Sequence, residues 1–485
     1  MKHPKIAVPL IRQKNNQVMS DEPSNLPFYE VVNRQRQFFR QANTLHYNQR
    51  INILKDLLQV VKENEQAILT ALAKDLHKST FEAWAVEYGV IMEELRLAIR
   101  HLREWMQPKR LKTPLLHFRA NSSVLPVPFG HVLIIAPWNY PFMLALRPAI
   151  GAIAAGNAVL IKPADAASAT EALLENMINH QLKTPWIQVA KAGPEESARL
   201  MEHRFDFVFF TGGTEIGRKV YQAAAQHLTP VVLELGGKNP CIVHHDADLT
   251  IAARRIAWGK FSNGGQTCAS PDYLLIHESV YEQFIQKLIQ QIRIFYGDDP
   301  QHHPDYGRII NKRHWERIMK LIPGAEVLAG GTGNEADLYI APTIIRPKDT
   351  AHPSMQEEVF GPVLPIFTYQ TINEAYTFID RHPDPLAMYL FSKNRKLADK
   401  LSRDISSGDF VVNEQVIHFG HIHLPIGGKG NSGFGKYQGK HSFDIFSHQK
   451  SIYRKFFFPD LPVRYPPYTT RKFQMIKALF RIGYR

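Results

Sequence analysis

The chain has 485 residues, 44% hydrophobic and 21% charged, which fits two to four globular domains and excludes a disordered or fibrous chain. Cys241 and Cys268 are its only cysteines, too few for a disulfide framework, so a reducing compartment is expected and a thiol is free for chemistry. The formal net charge is +13, but residues 1–50 carry +5 and residues 451–485 carry +7; the +1 left on residues 51–450 argues against a nucleic-acid-binding fold.

The basic N-terminus has a short apolar run over residues 6–11, interrupted by Pro9, and no export signal is read there. Ile51, Leu54, Leu57, Leu58, Val61, Ile68, Leu69 and Leu72 recur at helical spacing and predict helix over 51–77. Phe81, Trp84, Tyr88, Ile91, Met92, Leu95, Ile99 and Leu102 predict a second over 80–107, ended by Pro108. The uncharged stretch 120–146 is long enough to span a bilayer, but four prolines break it; buried strand followed by helix is the better reading.

From residue 130 short apolar runs alternate with helical ones. Strands are predicted at 131–136, 158–161, 186–190, 207–210 and 231–235, with helices at 143–155, 166–180 and 214–225. A second series follows Gly236, with strands at 240–243, 273–276, 340–345, 387–391 and 410–412 and helices at 249–260, 281–295, 311–321 and 396–406. Such alternation predicts α/β architecture with two doubly wound parallel sheets meeting near Gly236, and small-molecule sites favour interdomain clefts.

Several residues stand out chemically. Cys268 lies in Gly264-Gly265-Gln266-Thr267-Cys268, where glycines leave a thiol unobstructed; it reads as a nucleophile or as a small buried residue. Glu234 is a single carboxylate inside an apolar run before Gly236-Gly237-Lys238. Desolvation would suit it to general-base work, and a salt bridge to Lys238 is the structural alternative. Trp138-Asn139-Tyr140 follows a strand and precedes a helix, where the Asn139 amide can donate to an oxyanion; aromatic-proline loops are also often only packing. Thr211-Gly212-Gly213-Thr214-Glu215-Ile216-Gly217 opens a helix suited to phosphate, although Thr214 replaces the middle glycine of the dinucleotide fingerprint. Lys162 ends a strand, where an ammonium could reach ribose hydroxyls, but for a lone strand-end lysine simple solvation is the better reading. The pairs His302-His303 and His421-x-His423 lack companions at metal-ligand spacing, so no metal is expected.

The loops PWNYPF, IKPAD, TGGTEIG, LELGGK, GQTCAS, EEVFGP and LPIGGKGNSGFGKYQGKHSF resemble, in content and order, those of the aldehyde dehydrogenase superfamily. They span about residues 30–450, and the segments 84–116 and GKHSF are most similar to its class-three branch of fatty- and aromatic-aldehyde enzymes, bacterial coniferyl aldehyde dehydrogenases included. The resemblance implies a Rossmann-like cofactor domain at 25–236, with oligomerisation strands at 112–128, and a catalytic domain at 237–415. It also implies a bridging segment at 416–450, a basic N-terminal extension at 1–24 and a basic aromatic tail at 451–485. It implies oxidation of hydrophobic aldehydes, aliphatic or aromatic, by NAD or NADP. Cys268 would attack the aldehyde, Asn139 and the Cys268 backbone N–H would hold the oxyanion, and Glu234 would activate water. Lys162 and Glu358 would bind ribose hydroxyls. Phe360 would lie by the nicotinamide ribose, with Trp138 also at the cofactor and Gly212, Gly213 and Gly217 by the pyrophosphate.

This sequence departs from the family at Gly213, where many relatives carry Ser, and at Asp165, where many carry Glu; the second leaves NAD against NADP open. Alternatives are a coniferyl-specific enzyme, a coenzyme-A-acylating enzyme, and an inactive fold serving as a basic binding protein. A homodimer in the cytoplasm is expected. In the tail, Phe473, Ile476, Leu479 and Phe480 at helical spacing among Arg471, Lys472, Lys477 and Arg481 suggest peripheral contact with the inner membrane surface, or packing on a subunit.

Overall fold

The computed structural model of the chain describes residues 24–114, 117 and 119–483. Most of the N-terminal extension, including the apolar run 6–11, lies outside the described residues. The first large sheet runs, edge to edge, Ile187–Val189, Ala158–Lys162, His131–Ile135, Phe207–Gly212, Val231–Leu235 and Gly433–Phe434, and only the last is antiparallel. These strands are near-continuous runs of Val, Ile, Leu and Phe because helices cover both faces of a parallel sheet. The chain order reverses at His131–Ile135, which has Ala158–Lys162 on one side and Phe207–Gly212 on the other. That reversal opens a crevice at the carboxyl ends of the strands, where such sheets bind ligands.

The second sheet runs Glu326–Ala329, Thr343–Arg346, Val363–Tyr369, Tyr273–His277, Pro240–Val243, Ala387–Phe391 and Asp409–Val412, parallel except for its first strand. The chain passes from the carboxyl end of Val231–Leu235 directly to the amino end of Pro240–Val243, so opposite ends of the two sheets face each other. A third, antiparallel sheet joins Lys109–Leu111, Ala120–Pro128 and Ser447–Lys455. The helix Pro141–Ala155 is buried at every residue but Met143, wedged between the first sheet and the N-terminal helices. It fixes the loop that precedes it.

The stretch 120–146 resolves into two strands and the start of this helix. Among the described residues no helix is long and apolar enough to cross a membrane. The helix predicted over 51–77 is two, Tyr47–Glu63 and Glu65–Leu76, because the Asn64 side chain closes the first by donating to the Val60 carbonyl at 2.8 Å. The helix over 80–107 contains a π-helical turn, Trp84–Tyr88. The strand predicted at 340–345 is divided at Pro342, which has no N–H for a ladder, into Tyr339–Ile340 and Thr343–Arg346 in different sheets. The tail boundary at residue 451 falls inside the strand Ser447–Lys455, so the tail proper begins after Lys455.

Candidate active site

Asn139 is only 2% exposed and stands in the loop between the switch-point strand and the buried helix. Its Nδ2 donates to the Gln266 carbonyl at 3.0 Å. A primary amide has two N–H groups, and this bond needs one of them. The Asn139 carbonyl accepts from Lys78 Nζ and from Asn263 Nδ2, both at 2.9 Å. The loop is therefore held by its backbone as well as by its side chain.

Cys268 follows a turn in which Asn263, Gly264 and Gly265 have φ of 52°, 59° and 73°. Asn and Gly enter this left-handed region at least cost. The turn reverses the chain at the end of the helix Leu249–Phe261 and aims residues 266–270 at the Asn139 loop. Those residues are pinned on all sides. Gln266 Nε2 donates to the carbonyls of Asn263 and Arg308, each at 2.9 Å. Asn239 Nδ2 donates to the Cys268 carbonyl at 2.6 Å and to that of Ser270 at 2.9 Å. The Tyr389 hydroxyl donates to the Ala269 carbonyl, and the Tyr140 and Thr267 hydroxyls share a bond of 2.7 Å. Cys268 itself stays partly exposed. Desolvation pushes its thiol up to about 12, and the charges of Glu358 and Glu234 push the same way. Both effects favour the thiol over the thiolate. Cys241, by contrast, is fully buried on a strand of the second sheet, with its thiol also raised by burial.

Glu234 lies one residue from the end of Val231–Leu235 and shares the face of Val232, toward the Tyr437 side of the sheet. It is 6% exposed, and its Oε1 has no hydrogen-bond partner. Lys238 is not its partner. That lysine pairs with Asp272 and donates to the carbonyls of Ser354 and Glu357 at 2.8 and 2.9 Å. Burial holds the Glu234 carboxyl well above the usual range; Asp409 adds to the effect and Lys436 opposes it. A buried carboxylate oxygen without a partner costs stability, so a structural role does not account for Glu234.

The remaining residues border the crevice. Lys162 is 7% exposed at its strand end, 3.9 Å from Asp165, and burial lowers its pKa. The helix Thr214–Ala225 starts from Gly213, and nothing lies within 4 Å of the space a Cβ on Gly213 would take. That N-terminus is open to an anion. Gly236 lets the Glu358 carboxylate come so close that a Cβ there would overlap it. Burial pushes Glu358 up to about 8, with Asp272 adding and the Gly237 N–H opposing. The loop carrying Glu358 is fixed by Arg317, which donates to the carbonyls of Glu358 and Val359, and by Asp272, which accepts from the Val359 N–H at 2.9 Å. Phe360 meets Trp138 edge to face at 5.4 Å, joining the two sheet domains over the crevice. An open helix N-terminus beside Gly212, a strand-end lysine, a facing carboxylate and two aromatic rings fit a dinucleotide. Among the described residues no cluster of His, Cys, Asp or Glu is arranged to hold a metal ion.

The Asn139 amide is thus bonded to the Cys268 loop, Trp138 meets Phe360, and Lys162, Gly212 and Glu234 stand at or near the carboxyl ends of their strands, whereas Gly217 is buried against Leu235 and Phe210. Sequence reasoning missed Lys78, Glu87, Asn239, Tyr389 and Tyr437. Asn239 and Tyr437 adjoin recognisable loops, but Lys78, Glu87 and Tyr389 carry no local signal.

The family model described as "Aldehyde dehydrogenase family" matches residues 27–452. The chain is 42% identical over 446 residues to 4,4'-diaponeurosporen-aldehyde dehydrogenase of Staphylococcus aureus, covering 92% of this chain and 97% of that protein. It is 45% identical over 441 residues to the dimeric NADP-preferring aldehyde dehydrogenase of Canis lupus familiaris, covering 90% and 97%. Aldehyde dehydrogenase family 3 member B1 of Rattus norvegicus is 42% identical, with 93% and 96% covered. The solved structure of the substrate-bound state of Staphylococcus aureus AldH superposes with a TM-score of 0.91 at 42% identity, covering 93% of this chain and 99% of that one. The NAD-dependent aldehyde dehydrogenase from Sinorhizobium meliloti gives a TM-score of 0.81 at 28% identity, covering 90% and 88%. The chain belongs to the aldehyde dehydrogenase family and, within it, to the class-three branch.

Proposed function

We propose that the chain oxidises hydrophobic aldehydes to carboxylic acids through a covalent intermediate on Cys268. An aldehyde has no leaving group, so its carbon must become tetrahedral before hydride can depart. The Cys268 thiol gives up its proton, with Glu234 as acceptor, and sulfur bonds to the aldehyde carbon. The second N–H of Asn139 and the Cys268 backbone N–H hold the oxygen that becomes negative. Bound NAD(P)+ supplies the two-electron acceptor. Glu234 passes the proton it took from Cys268 to solvent, then takes one from water as that water attacks the thioester; the C–S bond breaks, the proton on Glu234 returns to the leaving sulfur, and the acid leaves with the thiol restored.

Lys162 and Glu358 hold ribose hydroxyls. Phe360 and Trp138 would hold the nicotinamide end, and Gly212, Gly213 and Gly217 the pyrophosphate. The observation that carries this reading is an unpartnered buried carboxylate electrostatically coupled to a neutral thiol, on a loop bonded to an amide donor. The similarity to 4,4'-diaponeurosporen-aldehyde dehydrogenase and to family 3 aldehyde dehydrogenases supports a hydrophobic substrate. An aldehyde panel with NAD+ and with NADP+ tests the proposal. Saturable cofactor reduction with long-chain or aromatic aldehydes is expected, and no reduction with any aldehyde would defeat it. Added coenzyme A is expected to leave the acid product unchanged.

The same reading includes a homodimer in a reducing cytoplasm, assembled through the three-stranded sheet, whose outer strand Ser447–Lys455 leaves one edge unpaired among the described residues. It also includes peripheral membrane contact by the tail. There Phe457 is fully exposed, and the helix Thr470–Gly483 carries the half-exposed Phe473 and Phe480 among basic residues, while its Met475, Ala478 and Leu479 line an apolar hollow of about 480 Å³ with Leu461, Pro462 and Val463.

A further inference from the structure

Lys78 and Glu87 form an ion pair whose two side chains are entirely shielded from solvent. Burying two charges is costly unless their remaining hydrogen-bonding groups are also satisfied. Here they are satisfied by one short loop. Lys78 Nζ donates to the Asn139 carbonyl at 2.9 Å and lies 4.0 Å over the centre of the Tyr140 ring. Glu87 Oε2 accepts from the Phe142 and Met143 N–H groups at 3.0 and 3.1 Å. These two N–H groups belong to the first turn of the helix Pro141–Ala155, whose N-cap Tyr140 makes no side-chain cap of its own. Glu87 therefore supplies, from another helix, the cap that this helix lacks.

The π-helical turn Trp84–Tyr88 contains Glu87, and such turns re-aim side chains inside an otherwise regular helix. The pair grips the Asn139 loop from both sides, by the carbonyl of residue 139 and by the N–H groups just past Pro141. The Asn139 side chain in turn bonds to the Cys268 loop. We propose that Lys78 and Glu87 are positioning residues that fix the Asn139 amide against Cys268 as the aldehyde oxygen gains charge. This rests on the oxyanion role given to Asn139 above.

A displacement of about 1 Å in such a donor can cost about a hundredfold in rate. The test measures the pre-steady-state burst of NAD(P)H at saturating cofactor and a long-chain aldehyde. Glu87→Gln keeps shape and one acceptor. The uncharged double variant Lys78→Met/Glu87→Gln leaves neither member of the pair as a lone buried charge and serves if the single variant does not fold. Each is made with Asn139 and again with Asn139→Ala. Asn139→Ala alone is expected to slow the burst by about a hundredfold or more.

Either pair variant is expected to slow the burst at least about tenfold when Asn139 is present and less than about twofold when it is absent. Cofactor Kd and the rate of Cys268 alkylation by iodoacetamide are expected to stay within about twofold throughout. Equal slowing in both backgrounds, or a matching loss of cofactor affinity, would overturn the positioning role and leave the pair as general scaffold. An unchanged burst in Asn139→Ala would instead remove the oxyanion reading itself.

Discussion

Glu234 is the residue whose environment has the sharpest consequences. Its carboxyl is held well above 4.5 by burial, so the folded protein keeps a proton that the unfolded chain has already released. Stability attributable to this site therefore falls as pH rises past the unfolded value and levels off only above the folded one. Glu234→Gln is expected to melt progressively higher than the parent from about pH 5 upward, measured as the difference in Tm by calorimetry. A constant or shrinking difference would contradict the burial argument. The catalytic sign is opposite, because only the ionised form can take a proton from water. Thioester hydrolysis is expected to quicken with pH up to the raised pKa, and Glu234→Gln to lose that slope. Cys268→Ala should lower turnover by about four orders of magnitude or more, since removing a covalent nucleophile abolishes the pathway it serves.

At the scale of elements, loops are positioned by partners far away in the chain. Lys238, which adjoins Glu234 in sequence, bonds across the molecule to Asp272 and to the carbonyls of Ser354 and Glu357, and so sets the loop that carries Glu358 and Phe360. Breaking one side of a buried pair typically costs about 3–5 kcal/mol. Asp272→Asn is expected to lower Tm and to raise the KM for NAD(P)+ more than that for aldehyde; equal changes in both constants would deny the loop its cofactor role. The tail makes a separate element. Truncation after Lys455 leaves every described sheet intact, so Tm and turnover are expected to hold. Co-sedimentation with phosphatidylglycerol vesicles should be lost, and equal sedimentation of both forms would end the membrane proposal. Cutting at Ser451 would remove half of a strand and confuse the two effects.

Across the whole molecule, the sequence is legible where local pattern decides the outcome. Alternating apolar runs place most parallel strands, because strands buried on both faces admit little but Val, Ile, Leu and Phe. The loops at their ends single out Cys268, Glu234 and Asn139 because glycines, a lone carboxylate and a strand-to-helix loop are unusual in local context. Legibility fails where the cause is distant or the local rule is broken. Val363–Tyr369 sits inside the second sheet despite Pro365, which argues against a central strand. Lys78 and Glu87 read as ordinary helix-surface charges, and only the fold reveals that they hold residues about sixty positions away. Light scattering is expected to give twice the chain mass in solution; a monomer at micromolar concentration would exclude the assembly proposed through the Ser447–Lys455 edge.

In the proposed pathway Cys268 forms a thioester that Glu234 resolves. Intact-mass spectrometry of Glu234→Gln, quenched after mixing with NAD(P)+ and a long-chain aldehyde, tests it most directly. The expected result is near-stoichiometric acylation mapping to Cys268, with one NAD(P)H formed per site and slow release thereafter. Acylation at another residue, or sustained turnover at the parent rate with no adduct, would rule out a Cys268 thioester resolved by Glu234.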